Sequence, residues 1–235
     1  MIVRDDCTRR TWMYFLKHKS DAASAFRSFL ASARADGKPS LVEIVRSDNR
    51  GEFFRGEFKS LCNELLIKQE FTPAYSPQYN GVAERGLGII EAAAMAARIQ
   101  AKVFDYVQLP KIDKFWAEAM HWACEALNHT ACSTNPDSKS PLEMWFGEAL
   151  PARPYPFLKP AYCRWQRPSK MLPKGESCFY VGIRETTRVT VIECSPEQAR
   201  YRKQGISRGR RRRRASLHRS LPCQSRLRKL SLIHI

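Results

Sequence analysis

The chain has 235 residues, of which 43% are hydrophobic, and its formal net charge is +17. This length allows one sizeable domain with a buried core and a small appendage. The sequence has no run of 18 or more apolar residues and no apolar leader, which argues against a membrane span and a secretory signal. The eight cysteines include no C-x-x-C pair, so we expect reduced thiols and an intracellular protein.

Most of the positive charge lies at the end of the chain. Of the 40 Lys and Arg residues, 13 follow residue 199, which leaves 27 basic against 23 acidic side chains before that point. A basic block such as 210–214 is usually solvated and disordered, although a nuclear address or a nucleic-acid arm is an alternative. Because residues 230–235 resemble the translation of a sequencing adapter, we interpret 196–235 as a disordered, artefactual tail and exclude it from the fold prediction.

Periodic apolar residues predict alternating strands and helices over the first 128 residues. An aromatic segment predicts a strand over 11–16, and Ala22, Phe26 and Phe29 recur at helical spacing over 21–34, after Ser20 as a candidate N-cap. The further elements are strands over 41–45 and 68–71 and helices over 56–66, 82–99 and 114–128. This order predicts an α/β fold with a mixed sheet flanked by helices.

Beyond residue 140 the pattern loosens. Six prolines between 151 and 173 favour loops and short edge strands, with strands expected over 177–183 and 189–192. We therefore predict a core over 1–140, a loosely structured extension of loops and short strands over 141–195, and the tail over 196–235.

Two carboxylates, Asp48 and Glu84, have 35 residues between them. Asp48 follows the strand over 41–45, and Glu84 opens a helix after the loop over 73–81. A third candidate, Asp5 or Asp6, lies at the mouth of an N-terminal strand. Three carboxylates on rigid elements are what a protein needs to hold Mg²⁺ and attack a phosphodiester. Taken alone, Asp48 is more simply a turn residue, and Glu84 a first-turn glutamate stabilised by the helix dipole.

Four ordered motifs resemble the integrase core of copia-type (Ty1/copia) retrotransposons, part of a retrovirus-related Pol polyprotein. They are RSDN at 46–49, TPAYSPQ at 72–78, NGVAER at 80–85 and FWAEA at 115–119. The likeness runs from about residue 5 to about residue 183 and implies a ribonuclease-H-like fold, with 1–140 as an N-terminally truncated catalytic core. It also implies an acidic triad of Asp5, Asp48 and Glu84. Asp5 is preferred to Asp6 because 8–12 then fall in register with the family, and Asp6 would point to the opposite side of an extended strand.

The function implied by this resemblance is DNA integration. The triad would hold two Mg²⁺ ions (Mn²⁺ is an alternative), and the reaction would be cleavage near the 3′ end of the element followed by strand transfer into target DNA. Gln78, Asn80, Arg85 and Lys59 are then candidates to contact DNA, although Lys59 alone is more simply a solvated surface residue. The resemblance also implies DNA and further copies of the chain as partners, action in the nucleus, and neither a membrane nor a small-molecule substrate.

The chain departs from the family at several places. The first strand has only four residues before Asp5, and Arg50 replaces a usual glycine. Gly86 and Gly88 lie in a predicted helix where the family has polar and basic residues, at a cost of about 0.8–1.0 kcal/mol each relative to Ala. Together with the tail, these departures favour as the alternative an inactive integrase remnant that at most binds DNA or other subunits. A ribonuclease-H-type nuclease is a poorer alternative because the segment from Asp48 to Glu84 matches integrases.

A zinc site is not expected from His121, Cys124, His129 and Cys132. Along one straight helix these four side chains would spread over about 16 Å, whereas zinc ligands must converge within about 2.0–2.3 Å of the ion. The tryptophans at 116, 122 and 145 are interpreted as core or protein contacts rather than as platforms for stacked bases.

Overall fold

The computed structural model describes residues 1–36, 42–47, 53, 55–72, 81–103, 112–148, 154–164, 175–184, 188–193, 201–203 and 230–233. The helices within these ranges are α1 (Ala22–Ala35), α2 (Gly56–Glu64), α3 (Gly81–Val103), α4 (Trp116–Asn128) and α5 (Pro141–Phe146). The strands are β1 (Ile2–Arg4), β2 (Thr11–Met13), β3 (Val42–Ser47), β4 (Lys68–Phe71), β5 (Pro160–Arg164), β6 (Gly175–Arg184), β7 (Arg188–Glu193), β8 (Tyr201–Lys203) and β9 (Leu230–Ile233).

An N-terminal hairpin of β1 and β2 separates two helical layers. The strands pair antiparallel, with Val3 opposite Trp12 and Ile2 opposite Met13. Since successive side chains of a strand point to opposite faces, Val3 and Trp12 enter one hydrophobic cluster, and Ile2 and Met13 enter the other. The hairpin is therefore covered by helices on both sides.

The first layer consists of α1 and α2 and is rich in aromatic side chains. Phe26 and Phe29 lie on the buried face of α1, and Phe58 of α2 packs against Phe26 with ring centroids 5.1 Å apart. Phe29 also meets Trp12 of the hairpin edge-on at 4.9 Å. Each buried side chain of this size stabilises the fold by about 1.5–3 kcal/mol relative to an exposed one.

The second layer consists of α3 and α4 and is built from small residues. Ile90, Ala94, Ala97 and Ala101 form a buried stripe at intervals of three and four residues along α3, as expected for one face of a helix. The facing residues of α4 include Ala119 and Ala123, which are both fully buried. The small side chains let the two helices approach closely.

The parallel part of the fold is built around β3. β3 pairs with β4 in parallel, and the connection between them passes through α2, as parallel neighbours require. On its other edge β3 pairs in parallel with β9, which in turn lies beside β1. The predicted α/β class is confirmed, with strands covered by helices. The described strands form three separate sheets rather than one mixed sheet, and β1 and β3 do not pair with each other.

The C-terminal extension forms an antiparallel sheet in the order β5-β6-β7-β8. Phe179 and Val181 of β6 are buried in the α3/α4 cluster. The indole N–H of Trp122 donates to the carbonyl of Tyr155 at 2.7 Å, which ties the extension to α4. The three-part division of the chain stays a prediction, and β8 and β9 both lie within the segment that it treats as a tail.

Several element boundaries differ from the predicted ones. The strand predicted over 11–16 ends at Met13, and Ser20 caps no helix because it lies inside a 3₁₀ turn, Lys19–Asp21. α3 continues through both Gly86 and Gly88. The sequence pattern also missed α5, where Ser140 and Glu143 form a capping box, although Ser-x-x-Glu is the known signature of that motif. No helix in the described ranges is long and apolar enough to cross a membrane.

Candidate active site

Asp5 closes the turn between β1 and β2. Its backbone N–H donates to the carbonyl of Arg10, and its own carbonyl accepts from the N–H of Arg9, both at 2.9 Å. The carboxylate turns inward and is 0% exposed. Oδ2 accepts two hydrogen bonds from Thr8, one from the backbone N–H at 2.8 Å and one from the hydroxyl at 2.5 Å.

The second oxygen of Asp5, Oδ1, is buried and has no hydrogen-bond partner among the described residues. Burial raises the pKa of this carboxyl, and the bonds from Thr8 oppose that rise. An unpartnered buried oxygen has a cost, and its lone pairs are of the kind that Mg²⁺ accepts. The enclosure is less suitable, because Mg²⁺ usually keeps several waters.

Asp6 lies on the outer side of the same turn. Its carboxylate pairs with the guanidinium of Arg9 at 2.6 Å, and its side chain is 38% exposed. The two adjacent acidic residues therefore have different surroundings, although Asp6 lies in a turn and not in the extended strand from which this difference was predicted. Arg9 adopts a left-handed backbone conformation with φ of 64°, which is strained for a residue other than glycine.

Asp48, Gln78 and Asn80 lie outside the described residues, as does Arg50. The strand that leads to Asp48 is described up to Ser47, which is buried. The carbonyl of Ser47 accepts from the backbone N–H of Thr72 at 3.0 Å. This bond ties the carboxyl end of β3, directly before Asp48, to the end of β4, directly before the loop that leads to α3.

Glu84 lies in the first turn of α3. Its side chain and that of Arg85 are exposed, whereas Ala83 and Gly86 on either side of the pair are buried. The start of α3 thus packs against the rest of the chain with one face and presents an acidic and a basic group with the other. Lys59 is exposed on α2.

The described carboxylates do not by themselves form a metal cage. No group of three or more His, Cys, Asp or Glu residues capable of holding an ion occurs within the described ranges. Oδ1 of Asp5 has no hydrogen-bond partner among the described residues but is enclosed, and Asp48 lies outside those residues. The triad of Asp5, Asp48 and Glu84 therefore stays a prediction.

A cavity of about 230 Å³ lies between the hairpin, α3 and the end of α4, and the sequence did not indicate it. The cavity is lined by Arg4, Arg9, Thr11, Gly86, Ile89, Ile90, Cys124, Leu127, Asn128, Thr130, Ala131, Cys132, Ser133 and Pro141. Two arginines belong to this lining, and none of these residues is Asp or Glu. Gly86, noted as a departure from the family, is the feature of the sequence that could have indicated this place.

The wall of the cavity is held by Asn128 at the end of α4. Its side-chain oxygen accepts from the N–H of Thr11 at 2.9 Å, and its side-chain nitrogen donates to the carbonyl of Thr11 at 2.7 Å. The thiol of Cys124 donates to the same carbonyl at 3.4 Å. The side chain of Asn128 therefore bonds both backbone groups of Thr11, as the backbone of a neighbouring strand would. Burial raises the pKa of Cys124 well above its usual range, so this sulfur is a structural thiol.

The hairpin, the β3–α2–β4 crossover and the covering helices define an α/β protein. No protein-family model matches the chain. It is 31% identical over 185 residues to the retrovirus-related Pol polyprotein from transposon TNT 1-94 of Nicotiana tabacum, an alignment that covers 76% of this chain and 13% of the relative. It is 25% identical, again over 185 residues, to the retrovirus-related Pol polyprotein from transposon RE2 of Arabidopsis thaliana, covering 77% of this chain and 12% of that protein.

Among solved structures, the chain is similar to the HTLV-2 integrase catalytic core domain in complex with magnesium. The TM-score is 0.43 at 21% identity, and the match covers 61% of this chain and 81% of the other. The chain spans about one eighth of the length of the two curated relatives that it matches. Over about three quarters of its length the chain is similar to copia-type retrovirus-related Pol polyproteins, and the resemblance predicted from the four motifs is confirmed.

Proposed function

We propose that the chain is the catalytic segment of a retrotransposon integrase, which cleaves the end of the element's DNA and joins it to target DNA. Asp48 and Glu84 are the acidic residues on which the proposal mainly depends, with Asp5 as the third. They would hold Mg²⁺ or Mn²⁺, two ions in the fullest version of the proposal. When bound, such ions polarise phosphodiester oxygens and activate the attacking hydroxyl.

The observation that carries the proposal is the setting of Glu84. A glutamate in the first turn of a helix gains from the helix dipole, but that role does not require the motif that surrounds Glu84. Here Glu84 is exposed at the point where α3 packs against β1, and the motif NGVAER surrounds it. Its carboxylate is therefore accessible to a cation and to DNA.

The residues expected to bind DNA have distinct roles in this proposal. Arg85 lies beside Glu84 and is exposed, so its guanidinium can donate to backbone phosphate. Gln78 and Asn80 precede α3 directly and would contact the same strand. Lys59, on the other helical layer, would contribute through long-range attraction, which is weakened by salt.

The enclosure of Asp5 favours the second candidate, an inactive integrase remnant that at most binds DNA or other subunits. With Oδ2 engaged by Thr8 and no exposed surface, this carboxylate in its present position closes a turn and reaches no solvent-borne ion. A remnant of this kind would retain the fold and lack the reaction.

The proposal is tested with purified chain, Mg²⁺ and labelled double-stranded oligonucleotides that carry the ends of a copia-type element. We expect strand joining by the wild type and a loss of more than about 100-fold in Asp48→Asn and Glu84→Gln, since even residues that only support a metal ligand cost 10–100-fold. Glu91→Gln, an exposed glutamate two turns further along α3, and Asp137→Asn should join strands normally.

Each alternative gives a different result in the same assay. A wild-type chain that binds the oligonucleotides without cleaving or joining them is the inactive remnant. Hydrolysis of the RNA strand of a hybrid, without joining of DNA, would identify the nuclease. Equal losses in Glu84→Gln and Glu91→Gln would show that Glu84 has no special role.

A further inference from the structure

We propose that the cavity between the hairpin, α3 and α4 binds one phosphate group of a DNA backbone through the guanidinium of Arg4. The missing side chain at Gly86 leaves room for this guanidinium. The inference rests on the proposed function only in naming DNA as the source of the phosphate. It needs neither the metal site nor the strand-joining reaction.

Among the described residues, no carboxylate forms an ion pair with the guanidinium of Arg4. Arg4 ends β1, its side chain is half-buried, and its Nε is buried with no hydrogen-bond partner in the described part of the chain. Burial and the neighbouring Arg9 lower the pKa of Arg4, yet an arginine keeps its proton in proteins. The nearby carboxylate of Asp6 is already paired with Arg9. A partly buried charge with no carboxylate partner in the described part of the chain has a cost, so an incoming anion would be favoured.

Gly86 leaves the space that the guanidinium occupies. A Cβ built on Gly86 would overlap Nη1 of Arg4 and lie 3.2 Å from its Cζ, whereas a Cβ on Gly88 would meet nothing within 4 Å. The helix therefore has a packing reason for the first glycine and none for the second. Because Arg4 is flexible at its far end, a methyl group at 86 would displace the guanidinium rather than the helix.

The lining of the cavity suits an anion of limited size. Arg4 supplies a guanidinium, Ser133 supplies a hydroxyl, and no described lining residue is acidic, while the guanidinium of Arg9 in the same wall is paired with Asp6. Ile89 and Leu127 form an apolar wall against which a sugar can pack. At about 230 Å³ the space is smaller than the 300–1,000 Å³ of typical ligand sites, so it fits a phosphate with part of its sugar rather than a base.

The site is held in place before any ligand arrives. Asn128 and Cys124 both hydrogen-bond the backbone of Thr11, which fixes β2 and the end of α4 on two sides of the cavity. The neighbouring strand β1 places Arg4, and α3 places Gly86 two residues after Glu84. Phosphate contacts of this kind position the DNA strand and carry no sequence information.

The test compares Gly86→Ala with Gly88→Ala. Both add one methyl group to the same helix, but only the first displaces Arg4. Binding of a labelled double-stranded oligonucleotide is measured by anisotropy over a range of salt concentrations without Mg²⁺, together with thermal unfolding of each variant. We expect Gly86→Ala and Arg4→Gln to bind about 10-fold more weakly and to reduce the slope of log K against log salt by about 0.9, which corresponds to one lost phosphate contact on B-DNA. Gly88→Ala should match the wild type.

Unfolding temperatures separate this loss from damage to the fold, since both glycine variants should unfold at or above the temperature of the wild type. Equal binding and equal slopes in the two glycine variants would overturn the proposal. A second arm measures stabilisation by inorganic phosphate. Stabilisation of the wild type but not of Gly86→Ala, with unchanged DNA affinity, would overturn DNA as the source and leave free phosphate. If Gly86→Ala reduces the salt slope of DNA binding while the wild type never joins strands, the phosphate site is upheld and the proposed enzymatic activity is rejected.

Discussion

Two arginines of one hairpin turn have opposite surroundings. Arg10 is enclosed on the α1/α2 side, where its guanidinium bonds the carboxylate of Asp36 at 2.6 Å and lies over the rings of Trp12 and Trp145 at 4.5 and 4.9 Å. Arg4 faces the α3/α4 side, where its Nε has no partner among the described residues. The buried charge of Arg10, with its carboxylate and aromatic partners, contributes to structure, whereas the half-buried charge of Arg4 favours a ligand.

The aromatic layer and the small-residue layer differ for the same reason. On the α1/α2 side the large rings fill the space around Arg10, and the indole N–H of Trp145 donates to Asp36 at 3.2 Å. On the α3/α4 side the short side chains bring two helices close and leave a cavity at the end of their contact. The first side is therefore the one to test for stability and the second for binding.

The largest expected effect follows from breaking the Arg10–Asp36 pair. Asp36→Ala should lower the free energy of unfolding by about 3–5 kcal/mol, because it leaves a buried guanidinium without its carboxylate. Urea unfolding measures this change. The exposed pair of Arg27 and Glu64, 3.7 Å apart, is the control, and Glu64→Ala should cost less than about 1 kcal/mol. Similar losses in both variants would show that Arg10 is no better compensated than a surface arginine.

A second prediction concerns Glu125 of α4, which lies near that pair. Burial raises the pKa of its carboxyl from about 4.5 to about 7, and the charge of Arg10 opposes the rise. Because the folded pKa is the higher one, the folded chain holds the proton more tightly. Stability is therefore fully present below pH 4.5 and is lost as the pH rises through about 7.

Glu125→Gln removes this titration. We expect the variant to exceed the wild type in stability by up to about 3 kcal/mol at pH 8 and by much less at pH 5, since one pKa unit corresponds to 1.36 kcal/mol. Urea unfolding across this pH range measures the difference. A constant difference at all pH values would mean that Glu125 titrates normally.

The third prediction distinguishes a turn residue from a metal ligand at Asp5. Asp5→Ala removes the acceptor for both bonds from Thr8 and should cost about 1–3 kcal/mol, whereas the oxygen of Asn can still accept them. If Asp5 only closes the turn, Asp5→Asn keeps both stability and strand joining. If Asp5 is a ligand, Asp5→Asn folds normally and loses the reaction. Unfolding and joining measured on the same two variants decide between these roles.

The smallest effect is expected at Gly88. This exposed glycine lies inside α3 with open space around it, so Gly88→Ala should stabilise the chain by about 0.8–1.0 kcal/mol through helix propensity alone. Thermal unfolding measures this gain. A loss instead of a gain would mean that α3 needs flexibility at this point.

Over the first 128 residues the order of the elements was determined by the sequence alone. Period-2 and period-3.6 patterns respond to the face that a strand or helix buries, so the helices around Phe26, Phe58, Ala94 and Ala123 and the strand at 68–71 were predicted close to their observed positions. The four motifs likewise indicated the family. The end of the 11–16 strand and the misassigned cap at Ser20 were missed because tertiary packing decides where an element stops.

Tertiary structure alone decided how charged side chains are compensated. Asp5 and Asp6 are neighbours in sequence, yet one is enclosed by Thr8 and the other pairs with Arg9. Arg4 and Gly86 lie 82 residues apart, and only their packing shows why the glycine is there. Local patterns of apolar residues reflect which face of a helix or strand is buried and which is exposed to water. Compensation of a charge depends instead on groups brought together from distant parts of the chain.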